Sequence, residues 1–327
     1  MDDRRRGNIN MFIDRLIESI KEKNNPTVVG LDPNLESIPA HIRENAFRRH
    51  GRSLKAAGEA ILEFNRKIID AVCDIAPVVK PQLAYYEMYG IEGMKAFMET
   101  VRYAKSKGLL VIADGKRNDI GSTAEAYSHA YLGRTSLCDG YFEDVFGVDA
   151  LTVNPMLGYD GIRPFLDDCR DFGKGIFILV KTSNKSSGQV QDIVTNLDAS
   201  IYEILANHVN EWGKGLEGKY GYSAVGAVVG ATYPNQAKKI RSIMRNAYIL
   251  VPGFGAQGGT AKDVVHSFGS DGRGALVNAS RSIIYAYRSE EWRKHNGEES
   301  FDTAAREAAI KMRDEINKAI KQNREVV

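Results

Sequence analysis

Asp114, Lys116, Arg117 and Asp119 fall within six positions in `VIADGKRNDIGST`, residues 111–123, where an apolar run turns abruptly charged. Asp114 and Lys116 are two apart, so on an extended strand they share a face. Asp119 lies just past the strand end and is free to reach elsewhere. Two carboxylates around an ammonium can place that cation and aim it at negative charge developing in a reaction. A solvated loop could hold the same residues for no reason, and a rim of salt bridges between strands would account for any one such motif. The decision rests on how the other strands end.

Eight short runs rich in Val, Ile and Leu recur along the chain: 27–32, 77–82, 109–116, 150–155, 175–183, 224–232, 248–255 and 274–281. Each is continuous rather than alternating, as for parallel strands buried on both faces. Helical stripes separate them, for example Ile61, Phe64, Ile68, Val72 and Ile75, and the segment 92–108. Eight strands alternating with helices predict an α/β fold, a (β/α)8 TIM barrel in one domain over 1–327. A doubly wound open sheet is the alternative, because periodicity does not show closure. An N-terminal helix is expected over about 9–23 and a C-terminal one over about 302–323. Polar stretches at 184–192 and 212–223 read as surface insertions.

In such a barrel the active site lies at the C-terminal ends of the strands. Those ends carry Asp32, Lys80, Asp114 with Lys116, Asn154, Ser183, Gln257 and Arg281. Charges gathered at a closed barrel mouth must be paired or used, and their recurrence across strands favours use. `GFGAQGG` places Gly253, Gly255 and Gly258 in a G-x-G-x-x-G pattern, the dinucleotide fingerprint, but after the seventh strand instead of the first. Loops after strands seven and eight of these barrels often bind phosphate. The phosphate reading is therefore preferred, with Arg281 as its bidentate partner. A tight turn that merely needs small residues fits both readings.

Other chemistries find little support. The six histidines have no ligand spacing, so no metal site is expected. There is no G-x-S-x-G elbow, and no cysteine ends a strand. A Schiff-base lysine stays open, since Lys80, Lys116 and Lys181 all lie at or near strand ends. A net charge of +2 gives no footprint for nucleic acid or an anionic membrane. Three cysteines without zinc or CxxC spacing fit a reducing, cytoplasmic setting. No secretory signal or membrane-length apolar run is visible.

`GLDP` (30–33), `VVKPQ` (78–82), `ADGKRNDIGST` (113–123), `VKTSN` (180–184), `VPGFGAQGG` (251–259) and `NASRSI` (278–283) together resemble the orotidine 5′-phosphate decarboxylase family, in its order and over nearly the whole chain. The insertions point to its longer branch. The resemblance implies a barrel working as a homodimer without metal or organic cofactor, on the small-molecule substrate orotidine 5′-phosphate in the last step of UMP synthesis. It implies Lys80, Asp114, Lys116 and Asp119 as the catalytic charge array, with Lys116 the proton donor, and Asp119 and Thr123 given by the partner subunit. Asp32 would hold the ribose hydroxyls, with Gln82 a weaker candidate; Ser183 would face the pyrimidine amide; Gln257 and Arg281 would hold the phosphate. No family role falls on Asn154. Two other functions stand beside this one: a metal-dependent sugar-phosphate enzyme such as a hexulose-phosphate synthase, which shares a similar D-x-K-x-x-D element, and a nucleotide-binding protein without catalysis.

Overall fold

The computed structural model describes residues 10–255, 258–293 and 297–326. Eight strands form: β1 Thr27–Leu31, β2 Val78–Pro81, β3 Leu110–Arg117, β4 Ala150–Val153, β5 Gly175–Lys181, β6 Ser223–Val229, β7 Ala247–Val251 and β8 Ala275–Ala279. All pair in parallel with their sequence neighbours, and β8 pairs with β1, with Val28 opposite Asn278. The sheet is thus a closed barrel and the open-sheet alternative falls. Every residue of β1, β2, β4, β6, β7 and β8 is buried. That is why these strands read as unbroken apolar runs: one face lines the barrel interior and the other meets the helices.

The helices that follow cover the outside. The longer ones are α1 Phe12–Lys23, α2 Ala40–His50, α3 Leu54–Val72, α4 Gly90–Ser106, α5 Gly121–Tyr131, α6 Tyr159–Phe172, α7 Ile201–Trp212, α8 Pro234–Ile243 and α9 Phe301–Val326. Helix α1 closes the N-terminal mouth. Phe12 packs edge-on against Phe177 at 6.2 Å, and Arg15 pairs with the buried Asp149 at 2.7 Å. Gly175 makes room for this plug, since a Cβ there would lie 2.3 Å from the Phe12 ring. Helix α9 lies on α3, where Phe301 stacks on Phe64 with ring centres 5.2 Å apart. Helix α1 runs Phe12–Lys23 and α9 runs Phe301–Val326, beside expectations of about 9–23, whose first residue lies outside the described ones, and about 302–323.

The two expected insertions are less detached than their composition implies. Residues 185–191 form a short 3-10 turn and one helical turn. Residues 213–222 bury Leu216 and Tyr222 and lean on α1, where Lys21 sits 3.8 Å from the Tyr220 ring centre. Helix α2 and a small hairpin pairing Thr135–Ser136 with Phe142–Glu143 add to the predicted scheme. Among the described residues no helix is long and apolar enough to cross a membrane.

Candidate active site

A cavity of about 420 Å³ opens at the C-terminal mouth of the barrel, within the range of small-molecule sites. Asp32, Lys80, Gln82, Asp114, Lys116, Ser183 and Arg281 all line it. Seven of the ten predicted site residues therefore meet in one place.

Asp114 is the centre of the charge. Its two oxygens accept from Lys80 Nζ and Lys116 Nζ, each at 2.7 Å, and the Thr152 hydroxyl donates to it at 2.9 Å. Burial opposes ionisation of Asp114, but Lys80 and Lys116 outweigh it and hold its carboxyl well below the usual carboxylate range. Lys80 is 3% exposed. Burial works against its charge too, yet Asp114 and then Asp32 prevail, and its pKa is raised. Lys116 differs, with nearly half its side chain exposed to the cavity and solvent. Asp32 sits at the edge of this array. Burial pushes its carboxyl up, partly offset by Lys80, and its buried Oδ1 has no hydrogen-bond partner.

The proximity of Asp114 and Lys116 does not come from plain strand alternation. Ala113 pairs with Leu151, and the next pair joins Arg117 to Val153, so β3 carries two extra residues there. Lys116 takes φ +48° within this bulge, a left-handed conformation that costs a non-glycine residue about 1–3 kcal/mol. Two contacts fix it. The Lys116 amide donates to Thr152 Oγ1 at 3.0 Å, and Arg117 Nη1 donates to the Gly115 carbonyl at 2.9 Å. Arg117 is itself held by Glu87 and by Tyr131, whose hydroxyl lies 3.3 Å away. A Cβ on Gly115 would lie 2.5 Å from Leu83 Cδ1, so a larger residue there would have to displace that buried side chain.

Other predicted residues fall elsewhere. Asp119 is half-buried outside the cavity, and its Oδ1 accepts from the Ile120 amide. Thr123 is exposed on α5, also outside it. Asn154 bonds the Met156 amide at 3.0 Å and does not line the cavity. Lys181 is turned away by a register shift after Leu179 and fully buried. There it pairs with Asp192 at 2.7 Å and lies 4.4 Å from the Tyr233 ring centre, so it belongs to a structural pair instead of the rim. Gln257 lies outside the described residues. Thr152 and Asn278 were missed. Both are lone polar residues in apolar runs, and both line the cavity.

At the other end of the cavity lie Pro252, Gly253 and Phe254 after β7, and Ser280 and Arg281 after β8. Gly253, Gly255 and Gly258 all have positive φ, and Gly255 donates to the Gly259 carbonyl at 2.9 Å. Arg281 is exposed and lines the cavity beside this turn, and a guanidinium so placed is able to pair with an anion. Among the described residues no three His, Cys, Asp or Glu side chains gather as a metal site would require.

This chain is 44% identical over 309 residues to the orotidine 5′-phosphate decarboxylase of Caldicellulosiruptor saccharolyticus, covering 94% of this chain and 99% of that protein. It is 40% identical over 310 residues to the enzyme of that name from Clostridium acetobutylicum, with 95% and 100% covered. Its fold is similar to the solved OMP decarboxylase of Leishmania donovani, with TM-score 0.71 and 28% identity over 95% of this chain and 99% of that one. A family profile matches residues 28–294, and with these relatives it shows that the chain belongs to the orotidine 5′-phosphate decarboxylase / HUMPS family.

Proposed function

We propose that the protein decarboxylates orotidine 5′-phosphate to uridine 5′-phosphate, the last step of de novo pyrimidine nucleotide synthesis. The observation that carries this reading is the Lys80–Asp114–Lys116 array, with the one accessible ammonium facing the cavity. Breaking the bond from C6 to the carboxylate leaves an electron pair in the plane of the ring, where no π-system delocalises it. An ammonium at C6 stabilises that charge and then gives it a proton, while CO2 departs. Lys116 has this role, and its neutral amine regains a proton from solvent. Asp114 sits beside the leaving carboxylate and holds Lys116 in place before substrate arrives. A reaction this hard needs the upper part of the roughly 8–23 kcal/mol that enzymes supply.

The remaining cavity residues divide among the parts of the nucleotide. Asp32 and Gln82 face the ribose, Ser183 the pyrimidine amide, and Arg281 with Gln257 the phosphate. Asp119 and Thr123 act across a two-fold dimer axis, which is why their place outside their own cavity fits this reading. No metal or organic cofactor takes part in it. The family's name also covers hexulose-phosphate synthases, and that chemistry passes through a metal-stabilised enediolate. The test is loss of orotidylate absorbance with the purified protein, with and without EDTA. Equal turnover in both is expected. No turnover, or turnover lost in EDTA and restored by Mg2+, overturns the reading.

A further inference from the structure

Asn278 lies on β8 with its side chain facing the cavity floor, and it is 6% exposed. Its Oδ1 is buried without a hydrogen-bond partner. Buried polar groups are nearly always paired, and an exception calls for an absent partner. The surroundings explain how that partner would reach it. Asn278 stands opposite Val28 on β1, and Gly30 follows on the same face of that strand. A Cβ at Gly30 would lie 3.2 Å from Asn278 Oδ1 and 1.9 Å from Ser280 Oγ, so glycine keeps the space between β1 and β8 open. Two residues further on is Asp32, which lines the same cavity and also has a buried, unpartnered oxygen.

Two unpartnered acceptors on one cavity floor call for a ligand that brings hydroxyls. Lys80 lies among them and spends one of its three donors on Asp114. A pair of neighbouring hydroxyls can accept from Lys80 and donate to the two orphan oxygens. Whichever way the Asn278 amide is turned, a hydroxyl answers it, because a hydroxyl both donates and accepts. We propose that Asn278 is a second sugar-binding residue, which with Asp32 holds the ribose hydroxyls of the nucleotide against the barrel floor and discriminates against a sugar that lacks the hydroxyl it contacts. This assignment rests on the nucleotide reading of the site.

The test measures binding of uridine 5′-phosphate and its 2′-deoxy and 3′-deoxy analogues to the native chain and to Asn278→Ala. Loss of one hydrogen bond predicts about ten-fold weaker binding of uridine 5′-phosphate by the variant. For the analogue that lacks the contacted hydroxyl, native and variant should bind alike. An unchanged affinity for uridine 5′-phosphate overturns the proposal, as does an equal loss for all three ligands. Asn278→Leu gives a second comparison if the alanine variant does not fold. It removes the buried orphan, so the ligand-free protein should melt no lower than the native one while still binding uridine 5′-phosphate more weakly. Failure of the native chain to bind uridine 5′-phosphate at all overturns the nucleotide reading itself, a result distinct from the variant outcomes.

Discussion

Asp114 accepts from Lys80, Lys116 and Thr152 together, and its charge is what lets two ammoniums sit side by side. Its carboxyl is held below the usual range. As pH falls through about 4, the unfolded chain therefore takes up a proton that the folded site refuses. The unfolded state then binds more protons, and stability drops with falling pH. Asp114→Asn removes that contribution. It also leaves Lys80 buried beside Asp32 alone, which should cost about 3–5 kcal/mol near neutral pH. The variant should thus melt lower at pH 7, and its melting temperature should fall less steeply than the native one from about pH 5 downward. Parallel melting curves against pH would show that Asp114 is not held ionised. At this scale the sequence was partly legible. Asp114 and Lys116 announce themselves because their charges lie within one short run. Thr152 and Asn278 do not, since each is one polar residue in a buried strand. Their only signal was that a lone polar side chain in such a run must find a partner inside the fold.

Strand β3 shows why the elements were easier to read than their irregularities. The eight apolar runs predicted eight strands, because burial on both faces leaves a continuous signature. The bulge at 114–116 leaves none, since Gly115 is a common residue and φ +48° at Lys116 is set by its contacts. The register shift that turns Lys181 away was equally hidden. Helix α2 and the hairpin at 135–143 were not anticipated because neither has a clean apolar period: α2 buries only Ile42 and Ala46, and the hairpin strands are exposed or half-buried. Arg117 ties the bulge to Glu87 and Tyr131, so it should position Lys116 without touching substrate. Arg117→Ala should lower kcat by about 100-fold, the scale expected of an ångström-sized misplacement. Affinity for uridine 5′-phosphate should change by less than about three-fold, because in the proposed mechanism Lys116 acts on the reacting carbon and not on the phosphate or sugar. Unchanged kcat would show that Thr152 and the strand pairing suffice to hold the bulge.

For the whole molecule, some of the exposed apolar residues lie just after the ends of barrel strands. Met88 and Ile91 come after β2, Ile120 after β3, and Met156 and Leu157 after β4, and each is at least half exposed. Exposed hydrophobics that gather mark interaction surfaces, and Asp119 and Thr123 lie in the same stretch of chain as Ile120. It fits the proposed dimer, in which those two residues enter the partner's cavity. A closed two-fold dimer makes two identical composite sites, and their sharing can be tested by complementation. One chain carries Lys116→Ala and the other Asp119→Ala, each inactive alone. In a mixed dimer one site receives both defects and the other neither. If subunits exchange freely, about half the dimers are mixed and half of their sites are intact, so activity should recover to roughly a quarter of the native value. Differently tagged chains verify the exchange. Confirmed mixed dimers as inactive as their parents would place Asp119 in its own chain's site. The half-buried carboxylate beside Ile120 would then have to swing inward past the end of β3, through a rearrangement of the residues between Lys116 and α5.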